Sequence, residues 1–312
     1  MPLPRDDHRV ITILALVSAM ILWASSFVAL KYTFAQFDAL FVIFARMAIA
    51  SVFVLLFFRR ALRGLTLTRS DWKYLLIMAL FEPCLYFIFE AEALKNTTAS
   101  QAGMITALLP IMVALGAWLW IKEALRWRVI AGGILAFVGA VWLSMGAPVS
   151  AGAPRPLYGN IMEFLAMVSA TGYILTMKHL TRRFSALFVT VFQAFTGTIF
   201  FALLGIVTGA EIPDAWPMEP TLALLYLGVG VTFGAYGLYN YGTSKMPAAQ
   251  SSLYINLIPI FAVILSYLLL GETFGWSELI GGIVILGGVL LAQSDNGNAT
   301  QSVADPDTPK GV

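Results

Sequence analysis

Ten apolar runs, each about as long as the hydrocarbon layer of a bilayer is thick, restrict this chain to a bundle of membrane-crossing helices. A layer of about 30 Å needs roughly 20 apolar residues per helix. The runs lie near 10–30, 38–58, 72–94, 98–120, 128–146, 157–177, 186–208, 220–243, 248–270 and 275–293. With 59% of its 312 residues hydrophobic and 12% charged, the chain carries more apolar surface than one soluble core can hide, so the excess faces lipid. The first run follows Arg5 and Arg9, as a secretory signal would, but it is too long and no small-residue cleavage pattern closes it. It is read as a retained first helix.

The second half of the chain repeats the first. A shift of 149 residues sets Gln101 on Gln250, Pro110 on Pro259, Leu119 on Leu268, Glu123 on Glu272, Trp127 on Trp276, Gly132 and Gly133 on Gly281 and Gly282, and Gly139 on Gly288. A shift of 147 sets Lys31 on Lys178, Phe37 on Phe184, and Ala39, Leu40 and Phe41 on Ala186, Leu187 and Phe188. Orientation follows from lysine and arginine, which concentrate on the cytoplasmic side. With a cytoplasmic amino terminus, fifteen fall inside and only Lys31, Lys95 and Arg155 outside, while Arg46 lies within a helix. Five helices per repeat is an odd number, so the second unit enters the membrane in the opposite sense. The expected architecture is all-α: ten transmembrane helices as two inverted five-helix repeats, with both termini cytoplasmic. Residues 1–146 form the first repeat, 147–156 (APVSAGAPRP) a periplasmic linker, 157–293 the second repeat, and 294–312 a disordered cytoplasmic tail. Duplicated membrane units of this kind are commonly transporters.

Several chemistries are disfavoured. The lone cysteine, Cys84, has no partner, and His8 and His179 lie at expected water-facing ends, so no metal site and no cofactor are expected. No G-x-x-x-x-G-K-[ST] loop is present, which argues against ATP hydrolysis by this chain. The basic residues are spread over short loops rather than gathered in a patch, and nucleic acid is not an expected partner.

Ten helices in two inverted repeats, with a mid-helix proline and a terminal glutamate in the fourth helix of each (Pro110 to Glu123, Pro259 to Glu272), resemble the EamA-like branch of the drug/metabolite transporter superfamily. The run from Lys245-Met246-Pro247-Ala248-Ala249-Gln250-Ser251 to Leu270-Gly271-Glu272 is similar to that family's second repeat. The resemblance covers residues from about 10 to 293. It implies a secondary transporter, often an exporter of amino acids or other metabolites. It also implies a central cavity lined by the first, third, fourth, sixth, eighth and ninth helices, with the fifth and tenth at the periphery.

Glu82 is the most costly residue to insert, since it stands about ten residues into the third helix, near the bilayer midplane, where a charge costs at least ~2.5–3.5 kcal/mol. Pro83 follows it and lacks an amide hydrogen, leaving the carbonyl of Ala79 without its helical partner at the same depth. Helical spacing places Glu82, Tyr86, Phe89 and Glu90 on one stripe facing the cavity. Glu82 is a protonated packing residue, a proton carrier, or an ionised partner for a cationic substrate group; sequence leaves the three open. Arg46 in the second helix and Glu90 lie at comparable depths and form a candidate pair, either structural or carboxylate-binding. Gln193 occupies the matching place of Arg46 in the second repeat. Glu163 adds an acid near the outer mouth, with snorkelling to the interface as its simplest role.

A shift of 150 matches Tyr86 to Tyr236 but sets Glu82 on Thr232 and Glu90 on Asn240, so the acids exist in the first repeat alone. That divergence suits a site for an asymmetric small molecule between two similar halves. Gln101, Gln250, Tyr254 and Asn256 either line the cavity or bond neighbouring helices, Asn240, the counterpart of Glu90, is a candidate substrate contact, and Trp23, Tyr173, Tyr236 and Tyr239 either stack on substrate or pack. Pro83, Pro110 and Pro259 are candidate hinges, the last two, each about midway along its helix, freeing the carbonyls of Thr106 and Ile255 on opposite sides of the pseudo-twofold axis. Trp127 and Trp276 suit interfacial belts, and the paired glycines suit helix packing or a dimer contact.

The reading is a non-enzymatic carrier of the cell inner (plasma) membrane. It moves a small polar metabolite, an amino acid or a related compound, outward by alternating access, with the proton as the ion if transport is coupled. Its partners are the small-molecule substrate and the lipid bilayer, and it is a monomer or homodimer. The rivals are an importer, a drug-type carrier of hydrophobic cations, an uncoupled facilitator, a lipid-modifying enzyme and a non-transporting scaffold.

Overall fold

A computed structural model describes residues 5–57, 65–122, 125–245 and 252–293. The described residues form helices: α1 (Arg5–Phe34), α2 (Ala39–Val54), α3 (Arg69–Ala79), α4 (Tyr86–Asn96), α5 (Ala99–Ile105), α6 (Leu109–Ile121), α7 (Trp127–Met145), α8 (Pro156–Leu180), α9 (Ala186–Thr208), α10 (Met218–Tyr226), α11 (Tyr236–Lys245), α12 (Leu257–Leu270) and α13 (Trp276–Gln293). No strand occurs among them beyond one isolated bridge between Ser150 and Ala153. Joined across short irregular turns, eight helices are long and apolar enough to cross a membrane, from Arg9–Phe34 to Met218–Thr243. Two shorter apolar helices, Tyr254–Leu270 and Trp276–Ala292, follow. The boundaries lie within a few residues of those expected, because polar caps end the apolar runs. Asp38 accepts from the amides of Leu40 and Phe41, Thr68 and Asp71 form a reciprocal capping box, and Ser185 accepts from the amide of Phe188. The tail beyond 293, Glu123 and the stretch 246–251 lie outside the described residues.

Three crossing helices are interrupted where they approach the middle of the bundle. Between α3 and α4 the chain winds as a π turn over Leu80–Leu85, and between α10 and α11 as another over Leu227–Ala235. Between α5 and α6 a 3₁₀ turn, Thr106–Leu108, precedes Pro110. The carbonyl of Thr106 was expected to be orphaned by that proline; instead it accepts the amide of Leu109, because the tightened turn brings a nearer donor. A second 3₁₀ turn, Ser252–Asn256, likewise precedes Pro259 in α12.

Burial separates centre from periphery. The span of α8 is 67% buried and that of α7 28%, so α8 runs through the core while α7 turns most of its surface outward. Small residues decide how α7 is held. It packs along α13, where a Cβ added to Gly132 would stand 2.3 Å from the carbonyl oxygen of Gly288, and one added to Gly139 would stand 2.9 Å from that of Gly281. These glycines are consumed in a contact within the chain and do not need a second copy to explain them. Elsewhere α2 lies against α9, with Ser51 and Thr198 bonded hydroxyl to hydroxyl at 2.9 Å.

Polar groups join the helix ends on the side of the 147–156 linker. Glu272, just past α12, accepts from the amides of Ala99 (2.9 Å) and Ser100 (3.0 Å) and from the Ser100 hydroxyl (2.7 Å), capping α5 across the bundle. A carboxylate here also meets the positive end of the helix dipole. Glu272→Ala is therefore expected to lower stability by about 1–3 kcal/mol, with Glu272→Gln losing less. Thermal unfolding of the detergent-solubilised variants checks this, and equal melting of Glu272→Ala and wild type would contradict it. Behind this cap, Gln101 donates to Glu278 (2.7 Å) and accepts from Asn160 (2.9 Å) and Thr97 (3.0 Å), forming a buried network.

Candidate functional site

The interruption between α3 and α4 creates the site. Glu82 leaves the helical region of backbone space altogether (φ −149°, ψ 118°), and Pro83, joined to it by a cis peptide, has no amide hydrogen to continue the ladder. Freed from the helix, the Glu82 carboxyl reaches a small central cavity of about 60 Å³. The cavity wall also includes Trp23 and Ser26 of α1, Arg46 of α2, Tyr86, Phe87 and Glu90 of α4, Tyr173 of α8, and Tyr236 and Tyr239 of α11. Glu82 is 4% exposed and accepts a hydrogen bond from the hydroxyl of Tyr236, the residue that matches Tyr86 in the other half.

Arg46 is the cation of this cavity, 2% exposed. Its Nε donates to the Thr232 hydroxyl at 3.0 Å, its Nη1 stands 3.7 Å from Glu90 Oε2, and its Cζ sits 4.5 Å from the centre of the Phe87 ring. Glu90 receives the Tyr86 hydroxyl at 2.9 Å. The charges are thus paired but not saturated, since Arg46 Nη1 makes no hydrogen bond. Gln193, which matches Arg46, shares a smaller adjoining pocket with Thr232 and donates to the backbone oxygen of Glu82 at 3.5 Å. Arg46 meets Thr232 and Gln193 meets Glu82, so each member of the matched pairs touches the counterpart of the other. The aromatic side of the cavity is built on Trp23, whose ring meets Tyr236 edge-on at 5.3 Å and Tyr239 at 4.9 Å.

Of the residues expected to bind substrate, Trp23, Arg46, Glu82, Tyr86, Glu90, Tyr173, Tyr236 and Tyr239 line one cavity. Others lie apart from it. Gln101 is spent in the network with Glu278 and Asn160, Asn240 donates to the Thr190 hydroxyl at 2.8 Å, and Tyr254 packs on the core without reaching the wall. Gln250 lies outside the described residues. The expected stripe is also altered: Phe87, not Phe89, shares the cavity wall with Tyr86 and Glu90. A single helical period was carried through Glu82, but the period restarts at Tyr86 after the break. Sequence reasoning passed over Ser26, Phe87 and Met167, and singled out Thr106 for its carbonyl alone; Ser26 stands three residues after Trp23, a helical spacing that places both on one face. Glu163, expected to reach for water, is 0% exposed.

A bundle of membrane-long helices around a small cavity of charged and aromatic groups has the form of a multi-pass membrane transporter that handles small molecules within the bilayer, rather than an enzyme. The chain belongs to the EamA-like transporter family, whose family model matches it over residues 10–145 and 157–293. It is 27% identical to an uncharacterized transporter of Archaeoglobus fulgidus, aligned over 90% of this chain and 96% of that one. An uncharacterized transporter of Bacillus subtilis is 26% identical over 89% of this chain and 85% of its own. A probable terminal-alkyne amino-acid exporter of Streptantibioticus cattleyicolor is 25% identical over 89% of this chain and 91% of its own. A crystal structure with 21% sequence identity has the same fold, with a TM-score of 0.64 covering 94% of this chain and 99% of that one.

Proposed function

We propose that this protein is a secondary transporter of the plasma membrane that exports an amino acid or a related small polar metabolite by alternating access, with a proton carried on Glu82 as the coupling ion. The observation that carries the substrate reading is the pair of opposite charges on one cavity. Arg46 Nη1 has an unused donor suited to a carboxylate, and the Glu82 carboxyl stands among Trp23, Tyr173 and Tyr236, a setting suited to an ammonium. The name of the Streptantibioticus relative supports this choice of substrate. The architecture in this reading is ten helices in two inverted repeats, residues 1–146 and 157–293, joined by 147–156. Gly132 meets Gly288 while Gly139 meets Gly281, and Ser51 meets Thr198 at a separation of 147, the pattern a twofold axis between halves would produce. The irregular turns before Pro110 and Pro259, together with the break at Pro83, are the proposed hinges.

Glu82→Gln is the test. In proteoliposomes with a mixed amino-acid pool and an imposed pH gradient, wild-type flux is expected to follow the gradient. Flux through Glu82→Gln is expected to fall by at least about tenfold and to ignore the gradient, as removal of a required protonation site implies. Gradient-driven flux that survives the substitution removes Glu82 from the coupling. The aromatic cage around Glu82 favours one second reading, a carrier of hydrophobic cations. In that case a quaternary ammonium dye would compete for flux and the amino acids would not.

A further inference from the structure

Glu163 is a buried acid that the proposed cycle does not use. It stands in the outer part of α8, four residues before Met167 in the cavity wall, and so one helical turn away on the same face. It is fully buried, and neither carboxyl oxygen has a hydrogen-bond partner. A glutamate that tethers helices would show a donor, and one that snorkels would show exposure; this one shows neither. The charged groups on the helices packed against α8 are otherwise engaged. Tyr86 and Glu90 of α4 are within electrostatic reach, and Glu90 is already partnered by Arg46 at 3.7 Å and by the Tyr86 hydroxyl at 2.9 Å. Further along α4, Lys95 pairs with Glu92 at 2.7 Å, and the Leu80–Leu85 turn, which also packs on α8, carries Glu82 with its hydrogen bond from Tyr236. The other neighbours, α5, α6 and Thr106–Leu108, contain no acid or base. On α7 the basic residue is Arg128, near the end opposite Ser144, and it is Ser144 that bonds Asn160 close to Glu163. On α3 the charges lie beyond the far end of α8, where Asp71 holds Arg183 at 2.6 Å.

We propose that Glu163 is a second proton-binding site, on the outer approach to the cavity. A proton delivered from water at the outer side bonds to one carboxylate oxygen, giving the neutral acid that can lie buried without a partner beside Glu90. Opening of the outer side to water lets the same O–H bond break and returns the proton to solvent. The Arg46–Glu90 pair then separates this site from Glu82, so two acids take up protons at different depths. The role in a cycle rests on the transport reading, but the site itself does not.

Infrared difference spectra between low and high pH, on the purified full-length protein in ester-free detergent, test the site without any substrate. The wild type is expected to show a high-frequency carboxylic C=O band, typical of an acid without a hydrogen bond, whose amplitude falls as pH rises. That band is expected to vanish in Glu163→Gln, to persist in Glu82→Gln, and to shift in frequency in Glu163→Asp, which carries the test if Glu163→Gln does not fold. A spectrum of Glu163→Gln identical to that of the wild type overturns the proposal. So does a Glu163 band indifferent to pH, which would mark a permanently neutral structural acid. An intact, titrating band in a protein that shows no flux would remove the transport reading and leave the proton site standing.

Discussion

Replacing Arg46 by methionine is expected to destabilise the folded protein by about 3–5 kcal/mol, as loss of one partner from a buried ion pair does. The size follows from what is left behind. Glu90, 4% exposed, would keep only the Tyr86 hydroxyl, and the Thr232 hydroxyl and Phe87 ring would lose the guanidinium that joins α2 to α4 and to the Leu227–Ala235 turn. The double variant Arg46→Met/Glu90→Gln is expected to recover most of that loss, since the uncompensated charge is gone. Denaturant unfolding of the two singles and the double in mixed micelles gives the coupling directly. Additive losses would show that Arg46 acts through packing and the Thr232 bond alone. Flux should not recover in the double variant, because the carboxylate donor is still missing.

The second large effect is expected at the crossing of α7 and α13. Gly288→Leu should abolish the monodisperse folded protein, because even its Cβ would stand 2.5 Å from both the Ala136 nitrogen and the Gly132 oxygen, backbone atoms that cannot move aside. Overpacking of this sort costs ~1–3 kcal/mol or more, and here it forces two spans apart. Gly287→Leu is the control: a Cβ at Gly287 meets nothing within 4 Å, so this neighbour should elute and melt as the wild type does. Size-exclusion profiles of the two variants decide the matter, and a normal profile for Gly288→Leu would mean that the helices are not in contact there.

The residues that line the cavity were legible to different degrees. Glu82, Arg46 and Glu90 stood out because charge inside an apolar run is expensive wherever it falls. Tyr236 was legible through its match to Tyr86, whereas for Trp23, Tyr173 and Tyr239 sequence left stacking on substrate and packing open, and only the structure placed all four on the cavity wall. Gln101 was noticeable because a polar side chain in an apolar run must find partners; of the two roles sequence left open for it, the bonds it makes to Asn160 and Glu278 are those of a helix-joining residue. Phe87 escaped because it is one more aromatic among many, and its role appears only with Arg46 lying 4.5 Å over its ring.

From its sequence alone this chain was committed to lipid, to helices of membrane length, to an internal correspondence near 149 residues, and to a mid-bilayer acid beside a proline. All of these are local or periodic properties, and physical chemistry ties each of them to composition, spacing or insertion cost. Only the tertiary structure decided which way each side chain on those helices faces. It turned Glu82 out of helical geometry and restarted the period at Tyr86. It spent the glycines on an internal crossing, placed Arg46 on Thr232 and Gln193 on Glu82, and sealed Glu163 from water. Most of those outcomes depend on contacts between residues far apart in the chain, such as Arg46 with Thr232, Gln193 with Glu82 and Gly132 with Gly288, where a few tenths of an ångström decide whether two groups can touch, and no run of neighbouring residues encodes that distance.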